Sequence, residues 1–460
     1  MKIDDRLRGH APKVPNPVPF KGVNGEVKGW KVSVPGARPL ATPAISNNRL
    51  FLGGGFGSYE FYAFDATDGR LIWQYQTEDD GPTAAVVADD LVCFSTESCE
   101  LEVLTVDGRR VWKKWLGDPL MSMPAVGQGR IYMAYPDSRG DRDHHLACFD
   151  LRTGCEFWKQ PIAGEIITAP IIAFEQVYLA TLGGEVYCYE AASGRLVWRE
   201  ARNATSSPAV WNGRCYFSRR HEVPLSQAGK SVQQMESMAV RETHADGAFK
   251  RYLKTAYKAD YLDLAKRKRR SPHFTASELA DSCVGFGFSK GDAKMEQAMS
   301  NLGQGHVHGV WTYQGSKPFI SRGHMYCAQG DCIYSMEPDS EQVLWKQTPY
   351  KPDRPEQEVL DSLMTPPAIV NDKLFVGTIQ GDLICLSAQT GEELWREKIG
   401  EPIVFQPAVS AGRVYVPTAN GTLVAIETGD AQDDGWRMWG ATPAHNGLID
   451  EDLAPVAASV

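Results

Sequence analysis

The chain has 460 residues, 43% hydrophobic and 23% charged, with 48 basic side chains against 57 acidic ones and a formal net charge of −9. That supplies enough apolar material for a full core and argues against a dedicated nucleic-acid binder. No apolar run approaches the ~18 residues of a membrane-spanning helix, so no helical span is expected.

Residues 1–26 carry no repeat, and Met1-Lys2-Ile3-Asp4-Asp5-Arg6 has neither an apolar signal core nor a lipid-acceptor cysteine. Gly29-Trp30-Lys31-Val32 then reads as an isolated strand. Thr42-Pro43-Ala44-Ile45 opens the first full repeat, and Asn47-Asn48 turns it. Arg49-Leu50-Phe51-Leu52 and Phe61-Tyr62-Ala63-Phe64 are β-prone runs, and Thr67-Asp68-Gly69 turns into Arg70-Leu71-Ile72-Trp73. Short strands bounded by Gly, Asn and Asp at regular spacing spell an antiparallel meander.

The opening returns as Met123-Pro124-Ala125, Ala169-Pro170-Ile171, Ser207-Pro208-Ala209, Pro366-Pro367-Ala368 and Gln406-Pro407-Ala408, with weaker forms at Thr83 and Lys317. The turn glycine and the Trp four residues later recur at Gly108/Trp112, Gly154/Trp158, Gly194/Trp198 and Gly391/Trp395, and more loosely at Trp345. A single four-stranded sheet cannot bury both faces, so the copies must stack around an axis. The fold class predicted is an all-β, eight-bladed β-propeller of four-stranded antiparallel blades, closed by the N-terminal strand, with a partly α-helical insertion on one face. Seven blades is the alternative, if the degenerate fifth copy is not real.

The domain organisation expected is an extension over 1–26, propeller over 27–220, an insertion over 221–314 holding the rest of blade 5 and a helical cap, propeller over 315–430, and a tail over 431–460. The long connections (53–58, 135–143, 220–234, 251–314 and 349–361) all join a second to a third strand or one blade to the next. In an up-and-down blade these open on the same face, where function usually sits. Within the insertion, Phe249, Leu253, Ala256, Tyr257, Tyr261 and Leu264 recur at helical steps. Thr275-Ala276-Ser277-Glu278 resembles a capping box, and 292–300 reads as a second helix. Lys250 to Arg270 holds nine Lys/Arg against two Asp and ends in Lys266-Arg267-Lys268-Arg269-Arg270. The plain reading is a solvated helix end; the sharper one is a docking patch for an acidic partner, nucleic acid or an anionic surface.

Gly305-His306-Val307-His308-Gly309 offers two imidazoles on one side of an extended segment, which Cys283 or His324 could complete as a metal site. Backbone-bonded loop histidines explain the same residues. His144 and His145 begin a strand and face opposite ways, so they cannot share an ion. No Gly-rich phosphate loop, nucleophile elbow or His-Glu-x-x-His occurs. Cys148, Cys188 and Cys385 each lie six residues before a turn glycine, where Ala63 stands in the first copy, and read as small core side chains. Ten cysteines with no Cys-x-x-Cys, and only weak pairs at Cys93/Cys99 and Cys327/Cys332, point to a reducing compartment. The localisation expected is cytoplasmic, or periplasmic or secreted if a leader has been cleaved.

The openings such as Ser207-Pro208-Ala209-Val210, strands such as Arg413-Val414-Tyr415-Val416-Pro417, and Ala388-Gln389-Thr390-Gly391-Glu392-Glu393-Leu394-Trp395 resemble the repeats of the pyrroloquinoline-quinone (PQQ)-like β-propeller superfamily. It includes quinoprotein alcohol dehydrogenases and the outer-membrane assembly lipoproteins of the BamB kind. Gly435-Trp436-Arg437-Met438-Trp439-Gly440 through His445-Asn446-Gly447 resembles a segment of its non-enzymatic members. The resemblance covers about 27–220 and 315–447. The adjacent cysteines that accompany the quinone in the dehydrogenases are absent, as is the lipoproteins' lipid-modified cysteine. What it implies is a non-catalytic scaffold binding a protein or peptide through the elaborated face, with no confident cofactor. The alternative is an oxidoreductase holding PQQ or a metal ion beneath 221–314.

Overall fold

The first repeat folds into strands Ala44–Ser46, Arg49–Gly53, Glu60–Asp65 and Leu71–Gln76, each antiparallel to the last. Positive φ at Asn47, Asn48 and Gly69 makes the two tight turns that the sequence marks there. The computed structural model describes residues 13–448, except 56, 118–121, 137–143, 165, 167, 182, 202–203, 205, 223–233, 243–248, 256–316, 330–331, 339–341 and 350–363. At 219–222, 234–242, 249–255 and 329 only the backbone is considered.

Six more four-stranded sheets follow in chain order, beginning at Val86, Ala125, Ile171, Ala209, Phe319 and Ala368. With the first they are blades 1–7. The remaining place is filled by a closing sheet of five strands. Ala408–Ser410, Arg413–Pro417 and Thr422–Glu427 are joined there by Val27–Ser33 and Val18–Lys21 from the other end of the chain. First strands pack on one another from blade 1 through blade 4, blade 5 on blade 6, and blade 7 on the closing sheet, which returns to blade 1.

Two expectations are corrected. Among the described residues four-stranded blades number seven rather than eight; the last place in the ring is the five-stranded composite of both chain ends, into which the N-terminal strand closes as expected. The described residues contain no helix. Phe249 and Leu253, read as the start of an amphipathic helix, lie in the strand Phe249–Thr255, the outer strand of blade 5. Pairing with Gln234–Glu242 overrides the local period. The helices expected at 275–278 and 292–300 lie outside the described residues.

The recurring Trp and the recurring Gly hold neighbouring blades together. Trp73 of blade 1 donates from Nε1 to Val106 O of blade 2 at 3.0 Å, and Trp112 to Leu151 O at 2.9 Å. Trp158 and Trp345 repeat this with Ala191 O at 3.0 Å and Ala388 O at 2.9 Å. Each indole covers the turn glycine of the blade it reaches, so the spacing of the repeat is an inter-blade contact. Phe61 and Phe94 stack across the blade 1–2 boundary with centroids 4.2 Å apart. The predicted core thiols Cys148, Cys188 and Cys385 are fully buried, and burial pushes the first up to about 11 and the last up to about 12.

Backbone bonds separate the two faces. Ala66 N donates to Asn48 O, Ala191 N to Glu175 O and Ala388 N to Asp372 O, joining first and third turns on a short-turn face. Thr77 N donates to Tyr59 O and Ile403 N to Thr378 O, joining second-to-third loops and blade linkers on the other, elaborated face.

The chain's own tail fills the axis. Its carbonyls at Trp436, Arg437, Pro443 and Ala444 accept from Val409, Ile45, Val126 and Ile172, the first strands of the closing sheet and blades 1, 3 and 4. These are inner edge groups that would otherwise lack partners. His445 is buried, with Nδ1 2.7 Å from Trp439 O and Nε2 2.8 Å from Pro124 O. Gly440 N donates to Gln406 Oε1 at 3.0 Å, and buried Lys317 donates to His445 O at 2.6 Å.

Candidate functional site

With the axis filled, the elaborated face is the surface left to vary. Four of its loops are held to one minimal turn. Thr96, Thr181, Thr378 and Thr418 each accept, through Oγ1, from the backbone N–H four residues on, at 3.0, 3.2, 3.0 and 2.9 Å. Each Thr also donates its own N–H to that residue's carbonyl. This Thr turn serves blades 2, 4 and 7 and the closing sheet, whereas blades 1, 3 and 5 carry longer loops. The sequence showed which loops were long; the shared Thr that keeps the others short was not singled out.

The boundary between blades 1 and 2 concentrates charge on this face. Asp79 accepts from Thr96 Oγ1 and from Ser98 N at 2.8 Å, which fixes the linker against the blade 2 turn. Asp80 lies beside Glu97, and Glu97 N donates to Asp80 O at 2.8 Å. Burial first, then Asp80 and Asp79, push the Glu97 carboxyl up to about 8. Tyr59, 46% exposed, sits near the same three carboxyls, and its phenol is raised by burial and by their charge. Trp115, 56% exposed, ends the outer strand of blade 2 opposite Glu100. Lys113 is committed to Glu78 at 2.9 Å and Glu100 at 2.7 Å, and Arg110 to Glu78 at 2.9 Å.

Of the metal candidates, His324 begins the second strand of blade 6, at its short-turn end, with its ring 6.4 Å from that of Tyr326. It therefore stands at the end of the blade opposite the one where the 256–316 connection joins. His306, His308 and Cys283 lie outside the described residues, as does the basic patch Lys266, Arg267, Lys268, Arg269 and Arg270. Among the described residues no group of three or more His, Cys, Asp or Glu is placed to share a metal ion. At the axis Trp439, His445 and Lys317 are packed together.

A family model described as outer membrane protein assembly factor BamB matches residues 24–113, 99–220 and 329–449. BamB of Shewanella oneidensis is 29% identical over 175 residues, 35% of this chain and 44% of its own length. BamB of Yersinia pestis is 23% identical over 268 residues, 52% of this chain and 66% of its own. The chain thus spans from under half to just under two thirds of the length of these relatives. A quinohemoprotein alcohol dehydrogenase of Pseudomonas putida is 26% identical over 171 residues, 35% of this chain but 19% of its own length. Among solved structures, BamB from Moraxella catarrhalis superposes with a TM-score of 0.55 at 13% identity, covering 87% of this chain and 97% of that one. Quinohemoprotein alcohol dehydrogenase from Comamonas testosteroni gives 0.57 at 12%, covering 87% and 76%. At such identities the structural likeness is one of fold.

These matches overturn the cytoplasmic localisation, since the relatives are named as outer-membrane assembly factors. The thiols misled because they report packing. All the described cysteines except Cys155 are buried, and burial protects a free thiol in any compartment.

Proposed function

The chain belongs to the PQQ-like β-propeller family described as outer membrane protein assembly factor BamB, and on that premise we propose that it is a protein-binding scaffold of outer-membrane assembly that docks partners through its elaborated face. The observation that carries the reading is the contrast between its surfaces. The axis is packed with the chain's own Trp436, Trp439 and His445, and the short-turn face keeps two-residue turns between first and second strands and four to six residues between third and fourth. The elaborated face carries the longer loops of blades 1, 3 and 5, the ends of the 256–316 connection, and half-exposed Tyr59 and Trp115. Rigid rings present loops of this kind to partners without titrating catalytic groups.

Site-specific photocrosslinking in cells tests this. A photoreactive residue at Tyr59 or Trp115 should capture an identified outer-membrane assembly protein. One at Phe174, 62% exposed on the short-turn face, should not. Equal capture from both faces, or capture of cytoplasmic proteins alone, would refute the reading.

A further inference from the structure

The blade 1–2 corner of the elaborated face specifies the chemistry of a partner, in an inference that rests on the docking reading above. Its backbone is tied at three points: Thr77 N to Tyr59 O, Gly81 N to Ser58 O and Glu97 N to Asp80 O, each at 2.8 Å. Asp79 is spent on Thr96 and Ser98. Asp80 and Glu97 instead share a side-chain hydrogen bond with each other. Glu97 is 9% exposed, and its Oε1 is buried with no hydrogen-bond partner. The charged groups acting on it are Asp80 and Asp79, both of its own sign. The proton held between Glu97 and Asp80 relieves their repulsion, and a cation seated there would take its place.

We propose that this corner seats a lysine or arginine side chain from an extended segment of a partner protein. The ammonium or guanidinium would lie between Asp80 and Glu97, and its aliphatic stem would run along the exposed Tyr59 ring. A partner side chain suits the corner better than a bare divalent ion, because the described carboxyls are not arranged as a shared metal site. The proton balance gives an independent signature. Without a partner, Glu97 holds its proton up to about pH 8, with Asp79, Asp80 and Tyr59 as the titratable groups around it. A bound cation favours the carboxylate, so binding releases a proton at neutral pH and tightens as pH rises.

The probe is a fluorescent nonapeptide of alternating lysine and glycine, followed by anisotropy at low salt. Wild type should bind it, and Asp80→Asn/Glu97→Gln should bind at least about tenfold more weakly. A charge-matched control on the short-turn face, Glu175→Gln/Glu392→Gln, should stay within about twofold of wild type. Calorimetry in two buffers of different ionisation enthalpy should show proton release with wild type and not with the corner variant. No binding by wild type, equal loss in both variants, or stoichiometric calcium binding at the corner in place of the peptide would each overturn the proposal. Photocrosslinking from Trp115 that persists despite such a result would leave the docking reading standing without the lysine seat.

Discussion

Trp30 covers Gly69: a Cβ built on that glycine would lie 2.5 Å from the indole, whose Nε1 reaches Ala66 O at 3.3 Å. Trp30 stands in the N-terminal strand of the closing sheet and Gly69 in the third turn of blade 1. The contact that joins Trp73 to Gly108 and Trp112 to Gly154 therefore also joins the two ends of the chain into a ring. Gly29 makes this possible. Its φ is 153°, and a Cβ there would lie 1.9 Å from Ala425 O, where the register between the two N-terminal strands shifts. Past that shift Lys28 pairs with Glu397 of blade 7. One strand thus grips the blades on both sides of it.

Gly69→Ala should be far more costly than Gly129→Ala. Both glycines have left-handed backbone, φ 74° and 68°, but nothing lies within 4 Å of a Cβ at Gly129. The second substitution should cost about 1 kcal/mol of backbone strain. The first adds a clash with the indole, for a total of roughly 3 kcal/mol or more. Urea denaturation of the two variants measures the difference, and equal losses would mean that the closing contact is soft.

The parts of the fold legible in sequence are those fixed by contacts one repeat long. Thr67-Asp68-Gly69, Thr42-Pro43-Ala44 and Gly29-Trp30 announce turns, first strands and closure because their chemistry is local. Phe249 and Leu253 were misread because a four-residue apolar step fits a helix as well as part of a strand, and the partner that decides, Gln234–Glu242, lies across a loop. The tail could not be placed, since His445 is held by Pro124, 321 positions away. Nor could the acidic corner. Asp80 and Glu97 are separated by the first two strands of blade 2 and meet only where the linker folds over the Thr96 turn.

Replacing Lys317 with Met should stabilise the ring. The ammonium is fully buried, 4.6 Å from the Trp439 ring and 4.9 Å from Phe319, with His445 O as its hydrogen-bond acceptor and no carboxylate partner among the described residues. Burial holds this lysine well below its usual range. Methionine keeps most of the volume and removes the desolvated charge, which should gain about 1–4 kcal/mol. The gain should shrink as pH rises towards 10.5, because the folded lysine sheds its proton before the unfolded one. A lower melting temperature at neutral pH would show that the ring faces and the carbonyl outweigh burial.

Glu102→Gln should stabilise the protein above neutrality and have little effect in acid. Glu102 is fully buried at the blade 1–2 interface. Tyr75 Oη donates to its Oε2 at 2.6 Å, while Oε1 is buried without a partner. Burial, with Glu100 adding to it against the Tyr75 bond, pushes the carboxyl up to about 7. The folded state then binds the proton more tightly than the unfolded one. The stability this contributes is present below pH 4.5 and is lost as pH rises through 7. Glutamine does not titrate, so its advantage over wild type should open across that window to roughly 2–3 kcal/mol. Denaturation at pH 5 and pH 8 reads it, and an unchanged gap would place the carboxyl near its ordinary range.

His445 sets two physical effects against each other at the axis. Both ring nitrogens face carbonyl oxygens, at 2.7 and 2.8 Å, and a neutral imidazole has only one N–H to offer. Protonation would satisfy both contacts but would bury a second cation beside Lys317. Burial and that neighbour prevail over the two carbonyls and pull the imidazole down to about 4. The unfolded chain, titrating near 6.5, then takes up the proton first, so stability should fall as pH drops from 6.5 towards 4, by roughly 3 kcal/mol at most. His445→Gln should flatten that slope, and the wild-type tail should become more open to proteolysis at pH 5 than at pH 7. An NMR titration of the ring decides between the effects. An imidazole still neutral at pH 5 supports burial, whereas an imidazolium at pH 6.5 would mean that the Trp439 and Pro124 carbonyls win and that acid tightens the tail.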